Sequence, residues 1–341
     1  MSKKTVLFYS SVKFLEDFNT QGFYREDIMI LKRIGYNVVC TNKLNDFLHL
    51  DYDMAFLYFY KKSTLAAIIA NLIRGKKVYF TGGIDDLSEE LKASFLRKLI
   101  FRFLFLFCYI FSTKINIVSD TDFKNAVNQI NYFKLKSNKI SLFPHSYKFS
   151  RSQYNQVFKS DNFVTVCWMS TIGNVQRKGL DKALDFFSYV YDSMPDSKFY
   201  IIGTIGEGTD YLKSLDVYEK VKDRVIFTGF INENKKNNIL NNSRYYLQFS
   251  DYEGFGIAAL EANQFKCFVF HSGSGGFLNS TDIFGSKINF DNGLNKSFIE
   301  DLFNNFNYLE NLSNFNLRYE SFLKKFSSEQ RMQNLKKLLN E

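Results

Sequence analysis

Two carboxylates eight residues apart, Glu253 and Glu261, stand in the stretch SDYEGFGIAALEAN with only glycines and apolar residues between them. On a helix rising ~1.5 Å per residue they are separated by about 12 Å. That length suits the two ends of an extended ligand better than an acid and a base acting on one atom. The turn Gly254-Phe255-Gly256 opens such a helix and lets a ligand approach its backbone closely. The free N–H groups and positive dipole end there favour an anion such as a diphosphate. Glu261, beyond the first turn, is placed to accept from two ribose hydroxyls. An isolated helical glutamate is ordinarily just solvated, but Ile257, Ala258, Ala259, Leu260 and Ala262 around this one argue for a ligand.

The elements that must hold these residues alternate between strand and helix, the pattern of parallel sheets covered by helices. TVLFYSS, the end of REDIMILKRIGYNVVCTN, DMAFLYFY, KKVYFTGG, INIVSD and KISLFP read as strands of a first unit ending near residue 150. Periodicity is lost over 146–160, which is read as the interdomain linker. FVTVCWMS, KFYIIGT, RVIFTGF, YYLQFS and CFVFHS are strands of a second unit over 160–320. Its first helix carries Leu180, Ala183, Leu184, Phe187, Tyr191 and Met194 on one apolar face. A terminal helix over 321–341 is expected to pack outside the second sheet. Two doubly wound units of this kind bind ligands at the carboxyl ends of their strands, so a ligand between them is expected.

Composition restricts the partners. The chain has 341 residues and a formal charge of +9, and residues 1–150 hold 22 Lys+Arg against 13 Asp+Glu. The excess therefore belongs to the first unit, which is expected to meet an anionic membrane surface or anionic acceptor. No nucleic-acid-binding signature accompanies it. Cys40, Cys108, Cys167 and Cys267 lack metal-ligand spacing and sit in apolar runs, as reduced buried thiols do. The most hydrophobic run, residues 99–111, is too short to span a bilayer and contains Arg102. With MSKKTVLFYSS leading straight into a strand, the protein is expected to be cytoplasmic and peripheral on the membrane. Lys92, Arg97, Lys98 and Arg102 are the expected contacts, with the aromatic end 103–111 buried; the alternative is a core helix packed on the first sheet.

SDYEGFGIAALEAN resembles the Glu-x7-Glu motif of GT-B-fold retaining glycosyltransferases, in particular glycosyltransferase family 4. QRKGLDKAL, KFYIIGTIGEG, RVIFTGFINENKKNNILNNSRYYLQFS and SGSGGF resemble further motifs of that family in the same order. The resemblance implies two Rossmann-like domains facing a central cleft, an acceptor domain over 1–150 and a nucleotide-sugar domain over 160–320. It implies transfer of a hexose or N-acetylhexosamine from a nucleoside diphosphate sugar, UDP-sugar favoured. The acceptor would be lipid-linked or an oligosaccharide, in bacterial surface polysaccharide (O-antigen or capsule) synthesis. No metal and no cofactor beyond that co-substrate is expected.

Carried over by residue, Lys178 would bind the donor diphosphate from the start of the 179–194 helix. Glu253 would face the transferred sugar or its phosphate, and Glu261 the ribose. The N–H groups of Gly254, Phe255 and Gly256 would cradle the diphosphate, and Gly229 and Phe230 would lie near the base. The family's Gly-Arg pair is replaced here by Met169-Ser170-Thr171, with Arg177 the available substitute. Asp85 and Asp86, after a strand and a double glycine, are candidates to orient the acceptor hydroxyl, or else cap a following helix. His145 and His271 read as structural.

Three other readings compete. Asp120-Thr121-Asp122 is similar to the metal-binding motif of GT-A transferases. A nucleotide-sugar epimerase on the same fold would need no acceptor. The missing Gly-Arg pair also admits a catalytically silent nucleotide-sugar-binding protein.

Overall fold

The computed structural model describes residues 3–88, 94–147, 159–281, 284–290 and 295–340. The chain forms two compact units, Met1–Lys148 with Lys324–Glu341, and Phe149–Leu323.

In the first unit, β1 (Thr5–Tyr9), β2 (Asn37–Thr41), β3 (Met54–Tyr58), β4 (Lys77–Gly82), β5 (Lys114–Ile117) and β6 (Ile140–Leu142) form a sheet in the order β2-β1-β3-β4-β5-β6. Every pairing is parallel. β3, MAFLY, is buried along its whole length, as a central parallel strand with both faces covered must be. On one face lie Leu7, Leu57, Phe80, Phe105 and Cys108. On the other lie Phe8, Phe56, Tyr58, Ile28 and Leu31. The helix Gly22–Ile34 stops where Gly35 takes a left-handed conformation, φ 116°.

The second unit repeats the plan. β7 (Ser160–Val166), β8 (Phe199–Ile202), β9 (Val225–Gly229), β10 (Ser243–Gln248), β11 (Phe268–His271) and β12 (Gly285–Lys287) run in the order β12-β11-β10-β7-β8-β9. These pairings too are parallel. β12 was not expected, because GSK carries no hydrophobic alternation to mark it. Strand order reverses beside β7 and β10, so the loops after them open at a topological switch point, where α/β sheets bind ligands.

The terminal expectation is corrected. Residues 321–341 are not one helix on the second sheet. One helix, Tyr308–Lys325, packs on the second unit through Phe315 against Phe284. The next, Ser328–Asn340, buries Leu335, Leu338 and Leu339 in the core of the first unit. Arg331 drives that choice: its guanidinium is buried against Asp27, a partner that sequence periodicity does not reveal. Of the expected linker, residues 148–158 lie outside the described residues.

Candidate functional site

The site is built at the carboxyl end of β10. Gln248 ends that strand, a loop follows, and the helix Ile257–Gln264 starts after Gly256, whose φ of 80° suits glycine. Lys178 donates to Oε1 of Glu253 in an ion pair. Gln248 Nε2 and Ser250 Oγ donate to the same oxygen at 2.7 and 2.8 Å. Among the described residues no donor reaches Oε2. Burial alone would raise the Glu253 pKa, but the charge and hydrogen bond of Lys178, with Ser250 and Arg177, outweigh it and hold the carboxyl below its usual range.

Two backbone contacts bring the pair together. Lys178 ends the helix Ile172–Lys178, and Gly179 then turns with φ 63° into the helix Leu180–Val190. A Cβ on Gly179 would lie 2.2 Å from the Phe249 carbonyl oxygen, so only glycine allows this approach. The Asp251 amide donates to the Arg177 carbonyl at 2.9 Å and ties the same two segments. On the other side the Gly276 amide donates to the Glu253 carbonyl at 2.6 Å. A Cβ on Gly275 would stand 2.2 Å from the Glu253 carbonyl oxygen, and one on Gly276 2.4 Å from that of Gly254. The SGSGGF turn thus acts as a backbone splint for the Glu253 loop. Lys178 stands directly before the start of the helix Leu180–Val190, as expected, and also ends a short helix that was not foreseen, which Thr171 caps by accepting from the Asn174 amide.

Glu261 is 4% exposed, and Lys236 of the helix Glu233–Asn242 pairs with its Oε1 at 2.5 Å. That lysine was not foreseen, since nothing in NENKKNNILNN singles out one of two adjacent lysines. Gln248 and Ser250 were missed likewise, being ordinary polar residues in sequence.

Arg177 is exposed, yet its charge helps lower the Glu253 pKa. It therefore stays beside the pair. Met169, in the place of the family's Gly-Arg pair, is buried, with its amide bonded to the Thr204 carbonyl. Gly229 closes β9 with φ 69°, and Phe230 after it is 85% exposed. Trp168 after β7 and Ile205 after β8 are also exposed, and Ile205 Cδ1 would lie 3.6 Å from a Cβ on Gly229. Each of the adjacent strands β7, β8 and β9 is thus followed by an exposed apolar side chain, of which sequence reasoning found only Phe230. Burial pushes the Cys167 thiol up to about 11 despite Lys178 and Arg177, which pull the other way.

In the first unit, Asp85 and Asp86 begin a short 3-10 turn, Asp85–Leu87, and do not cap an α-helix. Ser94 caps the next helix. Asp86 is held by Lys61 at 2.5 Å and Arg97 at 3.4 Å. Asp122 is fully buried and accepts from the Ile84 amide at 2.9 Å. It braces that loop, and the GT-A reading falls because the fold is GT-B. His145 is buried and stacked on Tyr58, and His271 Nδ1 accepts from the Gly273 amide. Lys92 lies outside the described residues.

Two six-stranded parallel sheets with flanking helices form the GT-B architecture. Residues 161–302 match the family described as glycosyl transferases group 1. A stretch of 111 residues is 35% identical to an uncharacterized glycosyltransferase, YqgM, of Bacillus subtilis (strain 168), covering 31% of this chain and 29% of that one. The match thus spans less than a third of that relative. Anabaena HepE, solved with UDP and glucose, superposes with TM-score 0.68 at 13% identity over 99% of both chains. Sucrose-phosphate synthase from Thermosynechococcus elongatus gives 0.69 at 14% identity, covering 99% of this chain and 98% of that one. These likenesses extend the GT-B fold to the first unit, beyond the family match.

Proposed function

We propose that the protein is a retaining, metal-independent hexosyltransferase. It moves a hexose or N-acetylhexosamine from a nucleoside diphosphate sugar, with uridine the favoured base, to a lipid-linked or oligosaccharide acceptor. The setting is bacterial surface polysaccharide assembly at the cytosolic face of the membrane. The observation that carries this reading is the Lys178–Glu253 pair at the mouth of the helix Ile257–Gln264.

An ammonium has three donors, so Lys178 can keep Glu253 and still bind a diphosphate oxygen. The helix N-terminus adds backbone N–H groups and the positive end of the helix dipole. As the bond from the anomeric carbon to the diphosphate breaks, negative charge grows on the leaving oxygen, where these donors are fixed in advance. The acceptor hydroxyl attacks the same face, and its proton passes to the departing phosphate. Glu253 keeps Oε2 for a sugar hydroxyl. Glu261 takes the ribose, and Phe230, with Trp168 and Ile205, offers apolar surface to the base. Asp85 and Asp86 belong to the acceptor-binding unit.

The test is incubation with a panel of nucleotide sugars and an undecaprenyl-diphosphate-linked acceptor, with the anomeric configuration of the product read by NMR. A retained α-linkage formed in excess EDTA is expected. Inversion, or activity restored only by manganese, overturns the mechanism. UDP-sugar isomerised without acceptor overturns transfer itself.

A further inference from the structure

The helix Phe95–Phe111 has two apolar faces. Phe105, Cys108 and Tyr109 point into the core of the first unit, with Phe101, Leu104 and Phe111 packed beside them. Leu96, Ile100, Phe103, Phe107 and Ile110 recur at intervals of three and four, which places them in one stripe along a helix. All five are exposed, between 43% for Phe107 and 66% for Leu96. The stripe is about 21 Å long at ~1.5 Å per residue. This corrects the expectation that only the first part of the helix faces outward and that 103–111 is buried.

The helix Tyr60–Ile68 packs against it, with Thr64 Oγ1 donating to the Leu104 carbonyl at 3.1 Å. Together with the π-helical turn Ile69–Ile73 that continues it, it exposes Leu65, Leu72 and Ile73 at 52%, 68% and 62%. Scattered exposed apolar residues need no explanation, but a contiguous stripe of this length does.

Charge decides what covers it. At 100° per residue Arg97 falls on one edge of the stripe and Arg102 on the other, where its guanidinium lies over Tyr132. Lys61 and Lys62 are exposed on the packed helix. The acidic residues described nearby are Asp85, Asp86 and Asp122, of which Asp122 is buried and Asp86 is taken up by Lys61 and Arg97. A second copy docking here about a two-fold axis would bring these cations onto like charges. An anionic bilayer complements them instead, and no helix among the described residues is long and apolar enough to cross one.

We infer that the stripe Leu96–Ile100–Phe103–Phe107–Ile110 inserts into the headgroup and acyl boundary of an anionic membrane, with the helix lying in the surface plane. Arg97 and Arg102 reach the headgroups from its two edges. This deepens the lipid-linked reading above and rests on it for its biological sense. It also differs from a purely electrostatic patch, because burial of apolar side chains is not screened by salt.

The experiment is flotation of the full chain with vesicles of phosphatidylglycerol and phosphatidylcholine, against vesicles of phosphatidylcholine alone, at low and high salt. The wild type should float with the anionic vesicles and keep a substantial salt-resistant fraction. Ile100→Ser with Phe103→Ser and Phe107→Ser should lose that fraction at least tenfold, while Arg97→Gln with Arg102→Gln should lose mainly the salt-sensitive part. Equal flotation of the triple variant, or no flotation of the wild type, overturns insertion. So does a lipid-free dimer that the triple variant converts to monomer in sedimentation velocity. UDP binding by calorimetry on every variant separates this outcome from failure of the donor site, since none of these residues belongs to the second unit.

Discussion

Arg331 and Asp27, 304 positions apart, meet as a bidentate pair inside the first unit, Nε to Oδ1 at 3.0 Å and Nη2 to Oδ2 at 2.7 Å. Nη1 of the same guanidinium donates to the carbonyls of Phe143 and Pro144 at 3.1 and 3.2 Å. Tyr58 completes the cluster by donating to Asp27. The last helix is thereby stapled to the helix Gly22–Ile34 and to the chain just after β6 by a fully paired buried charge. Removing one partner strands the other without water, at a cost of about 3–5 kcal/mol. Arg331→Met should lower stability by that amount in denaturant unfolding. Asp27→Leu with Arg331→Met should recover most of it, because no charge is left buried. Simple additivity of the two single variants would contradict the coupling.

The same cluster sets an acid limit. Burial, with Arg331 adding to it and Asp27 opposing, pushes the His145 pKa down to about 3. The unfolded chain takes up a proton on this residue near 6.5, and the folded chain does not until far lower pH. Stability should therefore fall as pH drops below about 6.5, by up to ~1.4 kcal/mol per pH unit. Asp27 adds a loss at still lower pH, its carboxyl being held below the ordinary value by Arg331 against the opposing effect of burial. His145→Gln should flatten the first part of this profile in thermal melts between pH 4 and 7. An unchanged slope would remove His145 as its cause.

At the proposed donor site, Lys178→Ala should reduce kcat about 10²–10³-fold, the usual cost of one preorganised donor to a leaving-group charge. Its effect on UDP affinity should be smaller. Steady-state kinetics with the preferred nucleotide sugar decides this, and a change confined to KM would make Lys178 a ground-state contact only.

Gly275→Ala is the test of the splint. Its φ of 65° and the Glu253 carbonyl 2.2 Å from the added Cβ leave no room for a side chain. The Glu253 loop must shift, so activity should fall by at least tenfold. The far-UV circular dichroism spectrum should remain that of the wild type. Activity equal to wild type would mean that the loop tolerates displacement.

If Glu261 holds the ribose as proposed, Glu261→Ala should weaken UDP binding by about 1–3 kcal/mol, the loss expected for a charged hydrogen bond. Lys236→Met should weaken it as well, by leaving the carboxylate without the cation that fixes its orientation. Titration calorimetry with UDP reads both, and unchanged affinity in Glu261→Ala would take this residue out of the site.

The alternation of apolar runs with amphipathic helices determined two parallel α/β units, because each strand buried on both faces needs a continuous hydrophobic run. It did not reveal β12, whose GSK is held by pairing with β11. The glycine-flanked carboxylates marked the loop between β10 and the helix Ile257–Gln264, since glycine at a tight backbone approach and charge among apolar residues both leave traces in sequence. Which side chains would complete that loop left none: Gln248, Ser250 and Lys236 are common polar residues whose meaning comes from strand register and helix packing. The hydrophobicity of the helix Phe95–Phe111 was plain from its residues, whereas the division of its apolar surface between core and solvent was decided by packing against Tyr60–Ile68. The last helix shows the same limit most clearly. Its apolar face fits either sheet, and only the meeting of Arg331 with Asp27 in the folded chain, a contact without local periodicity, assigned it to the first.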